Sequence, residues 1–235
     1  MRNFYLAALL AVLCCGPAWA GEVQGVDLSS PAGKQGYSIG YQLGLDFKAK
    51  GIEVETAALA AGARAALEGS TPALEKEEMH TVLTGIKKKV EVERRNQYQK
   101  AAEDNKQVGQ KFLEENKAKE GVTTLPSGLQ YKVLKMGEGP KPTASAKVTV
   151  HYRGSLPDGS EFDSSYQRGQ PATFQVDRVV AGWTEALQLM PVGSKWLLYL
   201  PPNLGYGERG APPRIGPNQV LIFEVELLKV EGGSK

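Results

Sequence analysis

Hydrophobic positions along the chain change their period near Gly121. Before it, apolar residues recur at helical spacing within alanine-rich stretches. After it, they alternate with polar residues between glycines and prolines, the pattern of short strands. The first helix is predicted to begin near Ser30-Pro31, where serine caps and proline suits the first turn, and to stop at Gly51. It carries Tyr37, Ile39, Tyr41, Leu43, Leu45 and Phe47, and Gly36, Gly40 and Gly44 recur every fourth residue on one face. Each glycine costs ~1 kcal/mol relative to alanine inside a helix. A row of them in register therefore predicts that another backbone approaches closely there. A second helix is predicted over about 54–67, ending at Gly69.

The third segment, about 75–120, contains no proline, and its only glycines are Gly85 and Gly109. As one helix it would reach roughly 70 Å at 1.5 Å per residue, with Gly109 its weak point. Met79, Val82, Leu83, Ile86 and Val90 form a stripe, but beyond Val92 the apolar residues thin out to Tyr98, Val108, Phe112 and Leu113. No heptad seam is sustained. The expectation is an exposed connecting helix, polar all round and supported by pairs such as Glu91–Arg95 and Glu115–Lys119.

Downstream, Leu129, Tyr131 and Val133 alternate with polar residues, and so do Val148, Val150 and Tyr152, which marks a sheet with one buried face. Pro157-Asp158-Gly159 is a hairpin turn. A short helix over Trp183 to Leu189, a strand over Lys195 to Leu200 and a closing strand over Val220 to Val230 follow, with a proline- and glycine-rich loop from Pro201 to Pro217. The predicted class is α+β: an antiparallel half-barrel sheet wrapped on a short helix, preceded by an all-α region and a long connecting helix. The expected divisions are a leader over 1–20, a helical module over 21–73, the connecting helix over 74–121 and the β-rich domain over 122–235. The upstream helices cannot enclose a core alone. Burial against a second copy is the economical solution, so they read as a homodimerisation module.

Composition narrows the function. With 41% hydrophobic and 23% charged residues and a net charge of +2, the chain reads as an ordinary globular protein with no basic face for nucleic acid. Arg2, the apolar run Phe4 to Leu13 and the small residues of Ala18-Trp19-Ala20 have the form of a secretory signal peptide, which puts the mature start at Gly21. Both cysteines, Cys14 and Cys15, fall inside it, so its removal leaves no thiol chemistry. The rival reading is a lipoprotein acylated on one of them; bulky Val12 and Leu13 stand against it. The expectation from these residues is export from the cytoplasm.

Metal and nucleophile chemistry find little support. His80 lies on the long polar helix and His151 on the outward face of a strand; no His-x-x-x-His pair and no acidic calcium loop occur. Gly205-Tyr206-Gly207 lacks the spacing and lysine of a phosphate loop. The expectation is no metal and no cofactor. What stands out is a set of aromatic residues, Tyr152, Phe162, Phe174, Trp183, Tyr206 and Phe223, with Asp163 directly after Phe162.

These residues lie in ordered motifs: Val150-His151-Tyr152, Asp158-Gly159, Phe162-Asp163-Ser164-Ser165, Val180-Ala181-Gly182-Trp183, Gly205-Tyr206-Gly207 and Phe223-Glu224-Val225-Glu226-Leu227-Leu228. In that order and at those distances the chain resembles the FKBP-type peptidyl-prolyl cis–trans isomerases. Its helical half resembles the macrophage infectivity potentiator group and related periplasmic folding factors. The resemblance implies a pocket with Trp183 as floor and Tyr152, Phe162, Val179, Val180, Ile215 and Phe223 as walls. It implies that Asp163 and Tyr206 hydrogen-bond at the rim as the catalytic pair, and that the Val180 N–H meets the ligand. Partners on this reading are unfolded or proline-containing polypeptides, macrolide inhibitors and a second copy of the chain in a V-shaped chaperone dimer, with outer-membrane association as a further implication. Ala172, Ala211 and Arg214 depart from eukaryotic members, which carry phenylalanine, histidine and isoleucine there; substrate preference and macrolide affinity are open. The competing reading is a non-catalytic chaperone or adhesin-like module that uses the same pocket and helical arms.

Overall fold

The computed structural model describes residues 26–232. The expected signal peptide, Cys14, Cys15 and the Gly21 start lie outside them. The chain divides into two compact units, one ending at Val90 and the other running Glu91–Lys235.

The first unit begins with α1, Pro31–Ala49, whose Ser30 hydroxyl accepts the Gly33 N–H at 3.0 Å with Pro31 in the first turn. α2, Thr56–Leu67, starts where the Glu55 carboxylate accepts the N–H groups of Ala57 and Ala58. Neither helix buries a residue within the chain. Tyr37, Ile39, Tyr41, Leu43 and Leu45 are all exposed, and nothing lies within 4 Å of a Cβ built on Gly36, Gly40 or Gly44. The glycine row has no partner among the described residues.

α3 is continuous over Lys76–Lys117. Its ion pairs differ from the expected ones. Glu91 takes two hydrogen bonds from Arg94, at 3.1 and 2.8 Å, because the planar guanidinium reaches both carboxylate oxygens one turn away. Glu115 lies 3.9 Å from Lys111.

The second half of α3 belongs to the Glu91–Lys235 unit and packs on it. Gly109 and Asn116 are its buried residues. Asn116 Nδ2 donates to Gln130 Oε1 at 2.9 Å, Gln130 Nε2 donates to the Leu113 carbonyl at 2.9 Å, and Phe112 lies 6.0 Å from Tyr199. A Cβ on Gly109 would stand 2.7 Å from Val220 Cγ2. Gly109 is therefore a contact point. The sequence reading of a weak spot in an exposed helix misses this, because the face that docks carries few large apolar residues.

The rest of this unit is a seven-stranded antiparallel sheet, in which β5 also pairs β3. Its strands are β1 (Val122–Thr124), β2 (Gln130–Lys135), β3 (Lys147–Ser155), β4 (Glu161–Ser164), β5 (Ala172–Gln175), β6 (Lys195–Leu200) and β7 (Leu221–Glu231), in the order β1-β2-β6-β7-β3-β4. β1 and β5 are additions to the sequence reading, too short and polar to show a period. β3 buries Val148, Val150, Tyr152 and Gly154 as its alternation requires. The β3–β4 turn is the expected one, with Gly159 at φ +87°. The buried faces of the strands pack on α4, Ala181–Leu187, which buries Gly182, Trp183, Ala186 and Leu187. α4 starts two residues before the expected Trp183, because the Val180 carbonyl accepts from both Trp183 and Thr184. Gly182 lets the helix lie against β6: a Cβ there would stand 2.5 Å from Leu200 Cγ.

Gly109→Ala gains helix propensity, ~1 kcal/mol, but drives a methyl into a stiff, buried Val220. The expected net result is destabilisation of about 1–2 kcal/mol in urea unfolding followed by tryptophan fluorescence. Gly85→Ala, with open space at its Cβ, is expected to be neutral or stabilising.

Candidate functional site

The site is built around one ring. Trp183 enters it from the first turn of α4 and is only 4% exposed. Three rings meet it nearly edge-to-face: Tyr152 at 5.3 Å and 87°, Phe174 at 5.7 Å and 88°, and Phe223 at 5.2 Å and 82°. These are the arrangements that place a positive ring edge on a negative ring face. Phe162 closes the set, edge-on to Phe223 at 5.5 Å. Gly154 makes this possible: it pairs with Phe223 across β3 and β7, and a Cβ there would stand 2.6 Å from Phe162 and 2.8 Å from Phe223.

Of the residues named from sequence, Tyr152, Phe162, Trp183, Phe223 and Ile215 share one buried cluster, with Val179 and Val180 packed against it. Val180 leads into α4, and its N–H has no acceptor among the described residues. Tyr206 stands apart, 42% exposed where the loop after β6 turns into a short 3₁₀ helix. Ala172 faces Val150 across β5 and β3, and the space beside the tryptophan is taken by Phe174.

Asp163 lies beside the rings in a three-way polar contact. Its carboxylate accepts from the Tyr152 hydroxyl and from Arg168, and the Arg168 guanidinium also donates to the Tyr152 oxygen at 2.8 Å. The same guanidinium lies 5.4 Å from the Tyr152 ring centre. Burial alone would raise the Asp163 pKa, but the hydrogen bonds from Tyr152 and Arg168 and the Arg168 charge outweigh it and hold the carboxyl below its ordinary value. Burial, then the bond to Asp163, pushes the Tyr152 phenol up. At neutral pH Asp163 is an anion with no proton to give, which argues against a role as an acid. Arg168 escaped the sequence reading because it lies in an aperiodic loop, five residues after its partner.

A serine–histidine contact does exist, between Ser165 Oγ and His151 Nδ1 at 3.0 Å. Ser165 is fully buried, and its hydroxyl accepts the Tyr152 N–H at 2.8 Å. It ties β4 to β3 and presents no nucleophile. Arg214, from the loop between Pro201 and Pro217, donates to the Phe162 carbonyl at 2.7 Å and so ties that loop to β4 beside Asp163.

Two family models cover most of the chain. Residues 138–228 match the FKBP-type peptidyl-prolyl cis-trans isomerase family, and residues 32–133 match the domain amino-terminal to it. The "Outer membrane protein MIP" of Legionella longbeachae is 46% identical over 98% of this chain and 99% of its own length. The "FKBP-type 22 kDa peptidyl-prolyl cis-trans isomerase" of Escherichia coli is 48% identical over 83% of this chain and 93% of its own. The chain belongs to the FKBP-type peptidyl-prolyl cis–trans isomerases. Among solved structures, FkpA from Escherichia coli superposes with a TM-score of 0.69 at 35% identity, covering 87% of this chain and 99% of that one. The chain is thus an FKBP-type isomerase of the kind that carries a helical amino-terminal domain.

The lowered Asp163 pKa has a sign. Its charge stabilises the fold above the ordinary carboxylate pKa, and that contribution is lost as pH falls through the lowered value. Isomerase kcat/KM is therefore expected to show no Asp163 titration between about pH 5 and pH 8, the window in which histidine ordinarily titrates. Arg168→Met should raise the Asp163 pKa, read by carboxyl-carbon NMR; an unshifted carboxyl would contradict the assignment of Arg168 as its main stabilising cation.

Proposed function

We propose that this isomerase seats the proline ring of X–Pro segments on Trp183, in secreted or envelope proteins that are not yet folded. Tyr152, Phe162, Phe223, Val179, Val180 and Ile215 form the apolar surround, and Asp163 and Tyr206 orient the amide. The observation that carries this reading is the edge-to-face enclosure of Trp183 with a carboxylate beside it that Tyr152 and Arg168 hold in place.

Rotation about an X–Pro bond meets a barrier of ~18–20 kcal/mol because twisting breaks amide resonance, and unassisted it takes tens to hundreds of seconds. The twisted amide has a less polar carbonyl than the planar one. An apolar surround therefore disfavours it less, and a seat shaped to the twisted bond adds binding that exists only at the top of the barrier. This route needs neither a nucleophile nor a cofactor. The Val180 N–H, free of other acceptors among the described residues, is available to a substrate carbonyl.

The exposed apolar side chains and empty glycine row of α1 support a second part of the proposal: two copies pair through the helical module over 21–73. Two sites in one dimer raise the local concentration for a client with several prolines, which gives chaperone character. The leader-like residues 1–20 and the name of the Legionella relative support an envelope location, periplasmic or at the outer membrane.

In a protease-coupled assay with a proline tetrapeptide, the full chain is expected to accelerate isomerisation, and Asp163→Ala and Tyr206→Phe to lower kcat/KM by about tenfold. A macrolide that fills the same seat should compete. A wild-type rate at background would refute the enzyme reading of the site. For the dimer, Gly40→Leu should shift sedimentation toward a monomer while peptide turnover persists; an unchanged sedimentation coefficient would exclude this face.

A further inference from the structure

The second half of α3 reaches the flap of the site. The flap is the loop from Pro201 to Val220, which contributes Tyr206 and Ile215. Inside it, Ala211 and Ile215 exchange backbone hydrogen bonds at 2.9 and 3.1 Å, and the Asn218 N–H closes on the Gly207 carbonyl at 2.9 Å. From outside, α3 holds both of its limbs. The Tyr98 hydroxyl donates to the Glu208 carbonyl. Asn105 Nδ2 donates to the Pro217 carbonyl at 2.8 Å, while Asn105 Oδ1 accepts from Gln219 Nε2 at 3.1 Å. Asn218 Nδ2 donates to the Ala102 carbonyl at 3.3 Å. Val220 seats on Gly109.

These helix positions, 98, 102, 105 and 109, follow a spacing of four, three and four, so they form one face. Asn218 sits at φ +53°, a left-handed conformation that asparagine adopts more readily than most residues and that persists where its surroundings over-determine it. Its bond to Ala102 and its neighbours' bonds to Asn105 are what over-determine it here. Asn105 is central: one amide satisfies a carbonyl and a side-chain donor on the returning limb of the flap, and it is half-buried where water competes poorly.

We propose that Asn105 is a positioning residue for the isomerase reaction: through Pro217, Asn218 and Gln219 it sets where the flap, and with it Ile215 and Tyr206, stands over the Trp183 seat. The proposal rests on the reading of that seat as the proline site. It makes the second half of α3 a working part of the isomerase domain, beyond its service as a connector. Small misplacements of a substrate-orienting group cost up to a hundredfold in rate, so the effect is measurable without loss of fold.

The test uses the full chain. Asn105→Ala should lower tetrapeptide kcat/KM by about tenfold, with backbone hydrogen exchange rising at Ala211, Ile215 and Asn218 while that of β3 and β7 stays as in the wild type. Asn105→Asp keeps the acceptor for Gln219 but sets an anionic oxygen against the Pro217 carbonyl, so it should lower kcat/KM at least as far as Asn105→Ala. Gln107→Ala, an exposed neighbour on another face of the helix, should behave as wild type. Wild-type kcat/KM and wild-type flap exchange in Asn105→Ala would overturn the proposal, and exchange that rises equally in β3 and β7 would reduce Asn105 to a general fold residue and overturn it too. If the wild type itself is inactive, the seat reading fails, and flap exchange still decides whether Asn105 holds the flap.

Discussion

Trp183 is a large ring that has to be buried without its faces being left against voids, and that requirement organises the isomerase domain. Three aromatic rings stand nearly perpendicular to it, each such contact contributing roughly 0.5–1.5 kcal/mol beyond the area it buries. They come from β3, β5 and β7, so the sheet has to curl around the first turn of α4 for all three to arrive. Small residues make the curl feasible: Gly154 gives way to Phe162 and Phe223, and Gly182 lets α4 press on Leu200. The floor of the proposed site and the core of the domain are therefore one structure. A change at the seat is felt as stability, and a change in the sheet is felt at the seat.

The polar edge follows from the same arrangement. β4 pairs with β3, which sets Asp163 opposite Gly154 and within reach of Tyr152. Arg168 neutralises the pair from the following loop. The result is a fixed, ionised group beside an apolar seat. Rotation about a C–N bond breaks amide resonance and no σ bond, so the proposed reaction needs no proton from this edge.

Much of this was legible in the sequence. The strands with two-residue alternation, the Pro157-Asp158-Gly159 turn and the capped start of α1 were readable because each rests on local chemistry. The aromatic set could be listed, but its enclosure of Trp183 was supplied by resemblance, since nothing in spacing says that residues from β3, β5 and β7 converge. Two features stayed hidden for a common reason. Arg168 lies in a loop without period. The docking face of α3 has the three-and-four spacing of a packed seam, yet it is built from Tyr98, Ala102, Asn105, Gly109, Phe112 and Asn116. A search for hydrophobic periodicity passes over such a face, because apart from the Phe112 ring on Tyr199 its contacts are hydrogen bonds and the close approach of a glycine.

In the proposed reaction, proline sits on Trp183 while its peptide bond turns over. This is met most directly by NMR on the full chain with a proline tetrapeptide in excess, which reads intermolecular NOEs together with cis–trans exchange peaks. NOEs are expected from the proline ring protons to the Trp183 indole, in a sample whose exchange is faster than in free peptide. Catalysed exchange with NOEs confined to another surface, or NOEs to Trp183 with exchange no faster than in free peptide, would contradict it.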